Sequence, residues 1–291
     1  MKRLKCLTMA LALIAGFALT SCLNSDTDPY RYGTYLAKVN SYMGMYYTFT
    51  TPGGKITITP SESSINSIEL QNPSFNFASL NGKIVYISFR WDPEVLEIPE
   101  GATNIEGVDL IGIEPLDCPT LVVPKEYVGT ERDSVATHSV ISINPQQGGY
   151  TYKPYFFDNT RTQIVLPVNY YYPMVNKATS SLTLVYYPDD TDTQNDKAAG
   201  KLRLHLNYRV RGTESLPTEY QTINLALYNG MSLFYKVYDL SRIIGQWGGG
   251  QPQEVNIVAT ENTYSGDLDN GANVKSYPVL TYEEYADDFY N

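Results

Sequence analysis

From Leu202 to Arg209 the chain alternates without a break: Leu202, Leu204, Leu206 and Tyr208 interleave with Arg203, His205, Asn207 and Arg209. A period of two puts the apolar set on one face of an extended strand and the polar set on the other. In a helix, at roughly 100° per residue, the same apolar residues would scatter around the axis. Short runs of this kind recur along the chain, and turn residues cut them. Pro52-Gly53-Gly54, Asn81-Gly82 and Asn229-Gly230 each supply a preset φ or a residue tolerant of positive φ. Almost no long helical period appears, so the pattern is all-β.

The first residues follow a different logic. Lys2, Arg3 and Lys5 precede an apolar run from Cys6 to Leu19. That run is shorter than the roughly 20 apolar residues a membrane span needs, and it reads as the core of an export signal. Leu19-Thr20-Ser21-Cys22 then resembles the bacterial lipoprotein signal, in which cleavage leaves an acylated cysteine. Residues 1–21 are therefore expected to be a signal peptide and Cys22 the lipidation site, with an ordinary secreted protein as the alternative. Two or more acyl chains hold a protein firmly, whereas one holds it marginally. Residues 22–30 are short, polar and acidic and read as a tether. The stretch partly resembles the acidic patch of surface-exported lipoproteins, interrupted here by Thr27. Outer-membrane attachment is expected, with either the periplasmic or the outer face open.

Without the leader the chain holds 18 basic and 31 acidic residues, since Lys2, Arg3 and Lys5 leave from a total of 21, giving a net charge of −13. Such a chain is repelled by polyanions, which argues against nucleic acid as a partner. Cysteine usage is equally restrictive. Cys6 leaves with the signal and Cys22 is acylated, so Cys118 alone remains and no intramolecular disulfide can form. Stability has to come from sheet burial.

Two domains are expected. Residues 31–124 hold about five strand-like runs: 32–40, 42–51, 55–59, 83–91 and 104–115. Between them a serine-rich stretch, Ser61 to Ser67, reads as a helical turn or loop. A small Greek-key barrel of the OB type and a plain five-stranded sheet both fit. Residues 125–134 are charged and polar and read as a linker. Residues 135–291 return to strands, among them 137–144, 150–157, 162–172, 180–187, 202–211, 222–228, 233–240 and 254–260, which suits a β-sandwich. Residues 189–200 read as an exposed acidic loop, and the acidic tail 282–291 as a short surface helix or a frayed end.

Few groups could do chemistry. His138 and His205 are the only histidines, and neither sits in a metal-ligand spacing. No strand-turn-helix nucleophile elbow or phosphate-cradling loop is present. Asp189-Asp190-Thr191-Asp192-Thr193 and Asp267-Leu268-Asp269-Asn270-Gly271 look superficially like calcium loops. The first lacks the turn glycine and the terminal glutamate. A non-enzymatic monomer without metal or cofactor is expected. The 26 tyrosines are the remaining signal. Tyr46-Tyr47, Tyr170-Tyr171-Tyr172 and Tyr186-Tyr187 would each place one ring inward and one outward in a strand. Inward rings pack the core; outward rings could stack on a sugar or a protein partner. These seven are the candidate ligand-contact aromatics.

Three stretches carry a family likeness: residues 46–55 (YYTFTTPGGK), residues 81–89 (NGKIVYISF), and the pair 181–186 (SLTLVY) with 200–208 (GKLRLHLNY). Together with the leader and tether they resemble the NigD-like lipoproteins. The resemblance covers most of the chain after the leader in layout more than in identities. It departs in segment 104–115 and beyond Gly250. It implies an N-terminal OB-like barrel, a C-terminal β-sandwich and no catalytic residues, and it suggests a bacteriocin-immunity-type role. The expected partners are the membrane, through the lipid, and a protein, peptide or glycan. A glycan-binding lipoprotein is the alternative function, and a fimbrial or adhesin subunit a weaker one.

Overall fold

The computed structural model describes residues 29–44, 46–71, 75–129, 133–170, 179–211, 235–248 and 250–289. The chain divides into two compact units between Leu116 and Asp117.

In the first unit, β1 (Arg31–Tyr42), β2 (Tyr46–Thr50), β3 (Thr57–Pro60), β4 (Ile84–Trp91) and β5 (Asn104–Pro115) form a closed barrel of order β1-β2-β3-β5-β4. Neighbours are antiparallel except β3 and β5, which run parallel, and β4 returns to pair with β1. Closure removes the edges that an open sheet would expose. The helix α1 (Glu62–Gln71) connects β3 to β4. Ser61 caps it, its hydroxyl accepting from the Ser64 amide at 3.3 Å. The OB-type barrel is therefore the arrangement, and the serine-rich stretch is its helix.

Alternation decides what fills the barrel. Ala37, Val39, Phe49, Ile58, Ile87, Phe89, Ile105, Val108 and Leu110 point inward and are buried. Gly33 is required by a close approach. A Cβ there would lie 2.5 Å from Cζ of Phe89, whose ring is stacked between Tyr35 and Trp91. The ring cannot swing aside without displacing both neighbours. Gly33→Ala should therefore destabilise the protein by about 1–3 kcal/mol, read from urea unfolding. An unchanged midpoint would mean that the ring is free to move.

The second unit is a sandwich. One sheet has the order β16-β15-β13-β12-β7, built from Asn273–Pro278, Glu254–Glu261, Lys201–Arg211, Thr179–Tyr186 and Thr120–Val122. The other has the order β10-β11-β14-β6, built from Tyr155–Phe156, Gln163–Pro167, Tyr235–Asp239 and Asp117–Cys118. A small hairpin, β8 (Gln146–Gln147) with β9 (Tyr150–Thr151), stands apart. Leu202, Leu204, Leu206 and Tyr208 of β13 meet Ile164, Leu166, Tyr238, Leu184 and Ile257 in one core. The C-terminal helix, Tyr282–Phe289, docks by stacking Tyr285 on Tyr155, ring centroids 4.2 Å apart.

Several expected boundaries move. Residues 117–124 were expected to end the first domain, yet β6 and β7 pair in parallel with β14 and β12 of the sandwich. Residues 125–134 were expected to be a linker. Lys125–Tyr127 instead form a 3-10 turn within the second unit, and Ser134 is fully buried there. Residues 189–200 were expected to be an exposed loop, and they contain the helix Thr191–Ala198. Asp190 caps this helix by accepting from the Thr193 amide at 3.1 Å, and Arg203 of β13 holds Asp196 at 3.1 Å. That helix has no apolar stripe, so periodicity gave no sign of it. The expected strand 222–228 and the Asn229-Gly230 hairpin lie outside the described residues.

Candidate functional site

The first hairpin of the barrel ends in an unusual tip. β1 and β2 pair in register through Tyr42 opposite Tyr46, so both rings project from the same face. Met43 and Gly44 lie in the turn that follows β1. Both have positive φ, 56° and 70°. For glycine this costs nothing, but for a residue with a Cβ it costs ~1–2 kcal/mol. Met43 is also 93% exposed, with Tyr42 at 62% and Tyr46 at 69%. No packing against the described barrel offsets the strain. An apolar side chain held in a strained conformation and displayed to solvent is a reason to suspect a contact.

The tip is rigidly supported. Tyr47 turns into the core, and its hydroxyl donates to the Gly44 carbonyl at 3.0 Å. The Ser41 amide donates to Oδ1 of Asn81 at 2.9 Å. On the outer face below the rings, Asn40 Nδ2 donates to Oγ1 of Thr50 at 2.9 Å and reaches Oγ1 of Thr48 at 3.5 Å. The surface is thus two phenol rings and a thioether above a row of amide and hydroxyl groups.

Of the seven candidate aromatics, the structure leaves Tyr46 displayed. Tyr47, Tyr170 and Tyr186 are buried, at 8%, 6% and 1% exposure, and serve as core. Tyr187 points away from the sandwich core but is covered. Its hydroxyl donates to the Ser134 carbonyl, and its ring packs against His205 at 5.0 Å. Tyr171, Tyr172 and Cys22 lie outside the described residues. Tyr42 and Met43 carry no signal of their own in the sequence, because the run 42–51 reads as one strand unless Gly44 is taken as a turn.

The outer face of β13 is polar but occupied. Asn207 Nδ2 donates to the Ser134 carbonyl and to the Tyr187 hydroxyl, both at 2.9 Å. Arg211 pairs with Asp133, which also accepts from Ser181 at 3.0 Å. His205 is pushed down to about 4 by burial and by neighbouring Arg203, partly offset by Asp190 and Asp192. Burial also lowers His138, whose Nδ1 lies 2.8 Å from Oγ1 of Thr137. Burial raises the Cys118 thiol, with Lys236 and Tyr238 acting in the opposite direction.

Both calcium-like stretches are engaged in local structure. Asp189 and Asp190 precede a helix that Asp190 caps. The loop around Asp267 is pinned by buried Asn262, whose Nδ2 donates to the carbonyls of Asp267 and Asn270 at 3.2 and 2.8 Å. Among the described residues, no group of three or more His, Cys, Asp and Glu converges as a metal site. Glu261 is buried but spent: it accepts from the Ile143 amide at 2.8 Å and the Tyr277 hydroxyl at 3.0 Å, and pairs with Lys275 at 2.9 Å.

Comparison with protein-family models gives no match, and comparison with curated proteins gives none either. Solved structures do match. A protein of Bacteroides fragilis described provisionally as a lipoprotein aligns at 23% identity over 86% of this chain and 97% of its own, with a TM-score of 0.56. A protein of unknown function from Bacteroides vulgatus aligns at 11% identity over 87% of this chain and 93% of its own, with a TM-score of 0.45. The first likeness shows that the barrel-and-sandwich fold is one already seen in a Bacteroides protein.

Proposed function

We propose that the chain is an envelope lipoprotein of NigD-like type, anchored through Cys22 to the outer membrane, that binds a protein or peptide partner without catalysis. The tip of the β1–β2 hairpin makes the contact. The observation that carries this reading is Met43, strained and exposed between two exposed tyrosines. Tyrosine and methionine are enriched where protein interfaces are buried. The description of the Bacteroides fragilis structure as a lipoprotein and the Leu19–Cys22 signal support the anchor. Geometry supports the orientation. The tether joins β1 at Arg31, and the tip lies at the other end of a twelve-residue strand. At ~3.3 Å per residue that separates them by on the order of 35 Å. A bacteriocin-immunity-type role is one form such binding could take. A glycan-binding reading is favoured by one feature, the Asn40–Thr48–Thr50 row beside the two rings.

The test separates stability from binding. Met43→Gly relieves the left-handed strain and should raise stability by about 1 kcal/mol. The same change combined with Tyr46→Ala should weaken partner capture from envelope or bacteriocin fractions at least ~30-fold, the loss expected of a binding hot spot. Capture that is equal in the wild type and the double variant would sink the role of the tip. Absence of any specific protein partner, with selective binding on a glycan array, would move the assignment to the second reading.

A further inference from the structure

The barrel carries a second feature, which stands apart from the hairpin tip. A cleft of about 330 Å³ lies between α1 and strands β4 and β5. Its helical wall presents Ser63, Ser67 and Gln71. These are spaced four apart and so form one stripe on a helix. Its sheet wall presents Arg90 and Asp109, directly opposite one another in the β4–β5 register, and Ile111. We propose that this cleft binds a neutral hexopyranose unit.

The lining has the chemistry of a polyol site. Gln71 Nε2 donates to Oγ of Ser67 at 3.2 Å. Across the cleft Ser61 donates to Oδ1 of Asp109 at 2.9 Å, and its hydroxyl is 3.2 Å from that of Ser63. Serine hydroxyls and a glutamine amide both donate and accept, as sugar hydroxyls do, while arginine only donates and carboxylate only accepts. Such a mixed set suits a ligand whose every polar group does both. It does not suit a phosphate, which Asp109 would repel.

Charge selects further. Arg90 and Asp109 cancel, so neither an acidic nor a basic sugar gains from the cleft. Their approach is loose: Nε of Arg90 stops 3.9 Å from Oδ2 of Asp109, beyond hydrogen-bond reach. That Nε is shielded from solvent and has no acceptor among the described residues. The guanidinium is nevertheless held in place, 4.3 Å above the Tyr30 ring. Ile68 and Ile111 offer apolar surface to the C–H face of a ring. Among the described residues no aromatic side chain lines the cleft, so weak binding is expected. The volume sits at the small end of ligand pockets, about 300–1,000 Å³, which suits a single ring.

Saturation-transfer NMR on the complete mature chain tests this with methyl α-D-glucopyranoside and methyl α-D-mannopyranoside, against D-glucuronate and D-glucosamine. At least one neutral glycoside should bind saturably with a Kd of about 1–10 mM, and the charged sugars at least about fivefold more weakly. Ser67→Trp places an indole in the cleft from an exposed helix position and should abolish the signal with circular dichroism unchanged. Gln71→Ala, which removes one donor and acceptor without adding bulk, should weaken binding about three- to tenfold and decides the matter if the tryptophan variant fails to fold. Three results would each overturn the proposal. These are no saturable signal from either neutral glycoside, equal affinity for the charged sugars, or affinity unchanged in Gln71→Ala.

Discussion

Replacing Cys22 by alanine should move the protein wholly from the membrane fraction to the soluble one. The acyl chains on Cys22 are the proposed attachment, and each buried methylene contributes about 0.8 kcal/mol. Among the described residues, no helix is long and apolar enough to cross a membrane. The net charge of −13 over residues 22–291, 18 basic against 31 acidic residues, opposes adhesion to an anionic lipid surface. Folding should be untouched, because the barrel begins at Arg31 of β1, beyond the tether. Labelling with an alkyne fatty acid, fractionation after a high-salt wash and circular dichroism together read the outcome. A variant that still labels, or still sediments with membranes, would show that Cys22 is not the anchor.

The second large effect is on stability in acid. His205 sits on the outer face of β13 beneath Tyr187, and its folded pKa is lowered to about 4. Burial is the main cause and Arg203 the next; Asp190 and Asp192 act in the opposite direction. The unfolded chain takes up a proton near the ordinary histidine value of about 6.5, while the folded chain resists it. The unfolded state therefore binds more protons between those two values, and stability falls as pH drops through that window. A displacement from 6.5 to about 4 is worth on the order of 3 kcal/mol at pH 4, as an upper bound. His205→Gln removes the titrating group but leaves the contribution of His138 and of the carboxylates. Urea unfolding of both proteins at pH 7, 5 and 4 isolates the difference. The wild-type curve should fall more steeply than that of the variant; parallel curves would show that His205 takes up its proton at the same pH in the folded and unfolded chains.

What could be read from the sequence was what repeats locally. Alternation at Leu202–Tyr208 places one strand, and its inward and outward faces, correctly. It also separates Tyr46 from Tyr47. It fails at Tyr186-Tyr187, because the outward residue is covered by Ser134, more than fifty positions earlier. Covering of that kind has no local signature. The same limit applies to the barrel. Closure rests on β1 pairing with β4 and on β3 pairing in parallel with β5, so residues 32–115 fit an open sheet equally well until those contacts are seen. Two surface features left faint local marks. Gly44 in Tyr42-Met43-Gly44 signals a turn within an apparent strand. The spacing of Ser63, Ser67 and Gln71 signals one helical stripe within an apparent loop.

The two units also differ in how soon they can be finished. Every strand of the barrel lies within residues 31–115, so its contacts are available once that length of chain has emerged. The sandwich has no such early point. Thr120 of β7 donates to the Asp239 carbonyl, 119 residues later, and β15 and β16 extend one sheet to residue 278. Pairings of such separation carry a loop-closure cost that is met before any contact forms, and they slow folding. A chain leaving a translocation channel N-terminus first would therefore carry a completed barrel while the sandwich strands still waited, unpaired, for partners not yet delivered. The N-terminal unit matures early, and the interval of greatest exposure to misassociation falls to residues 117 onward.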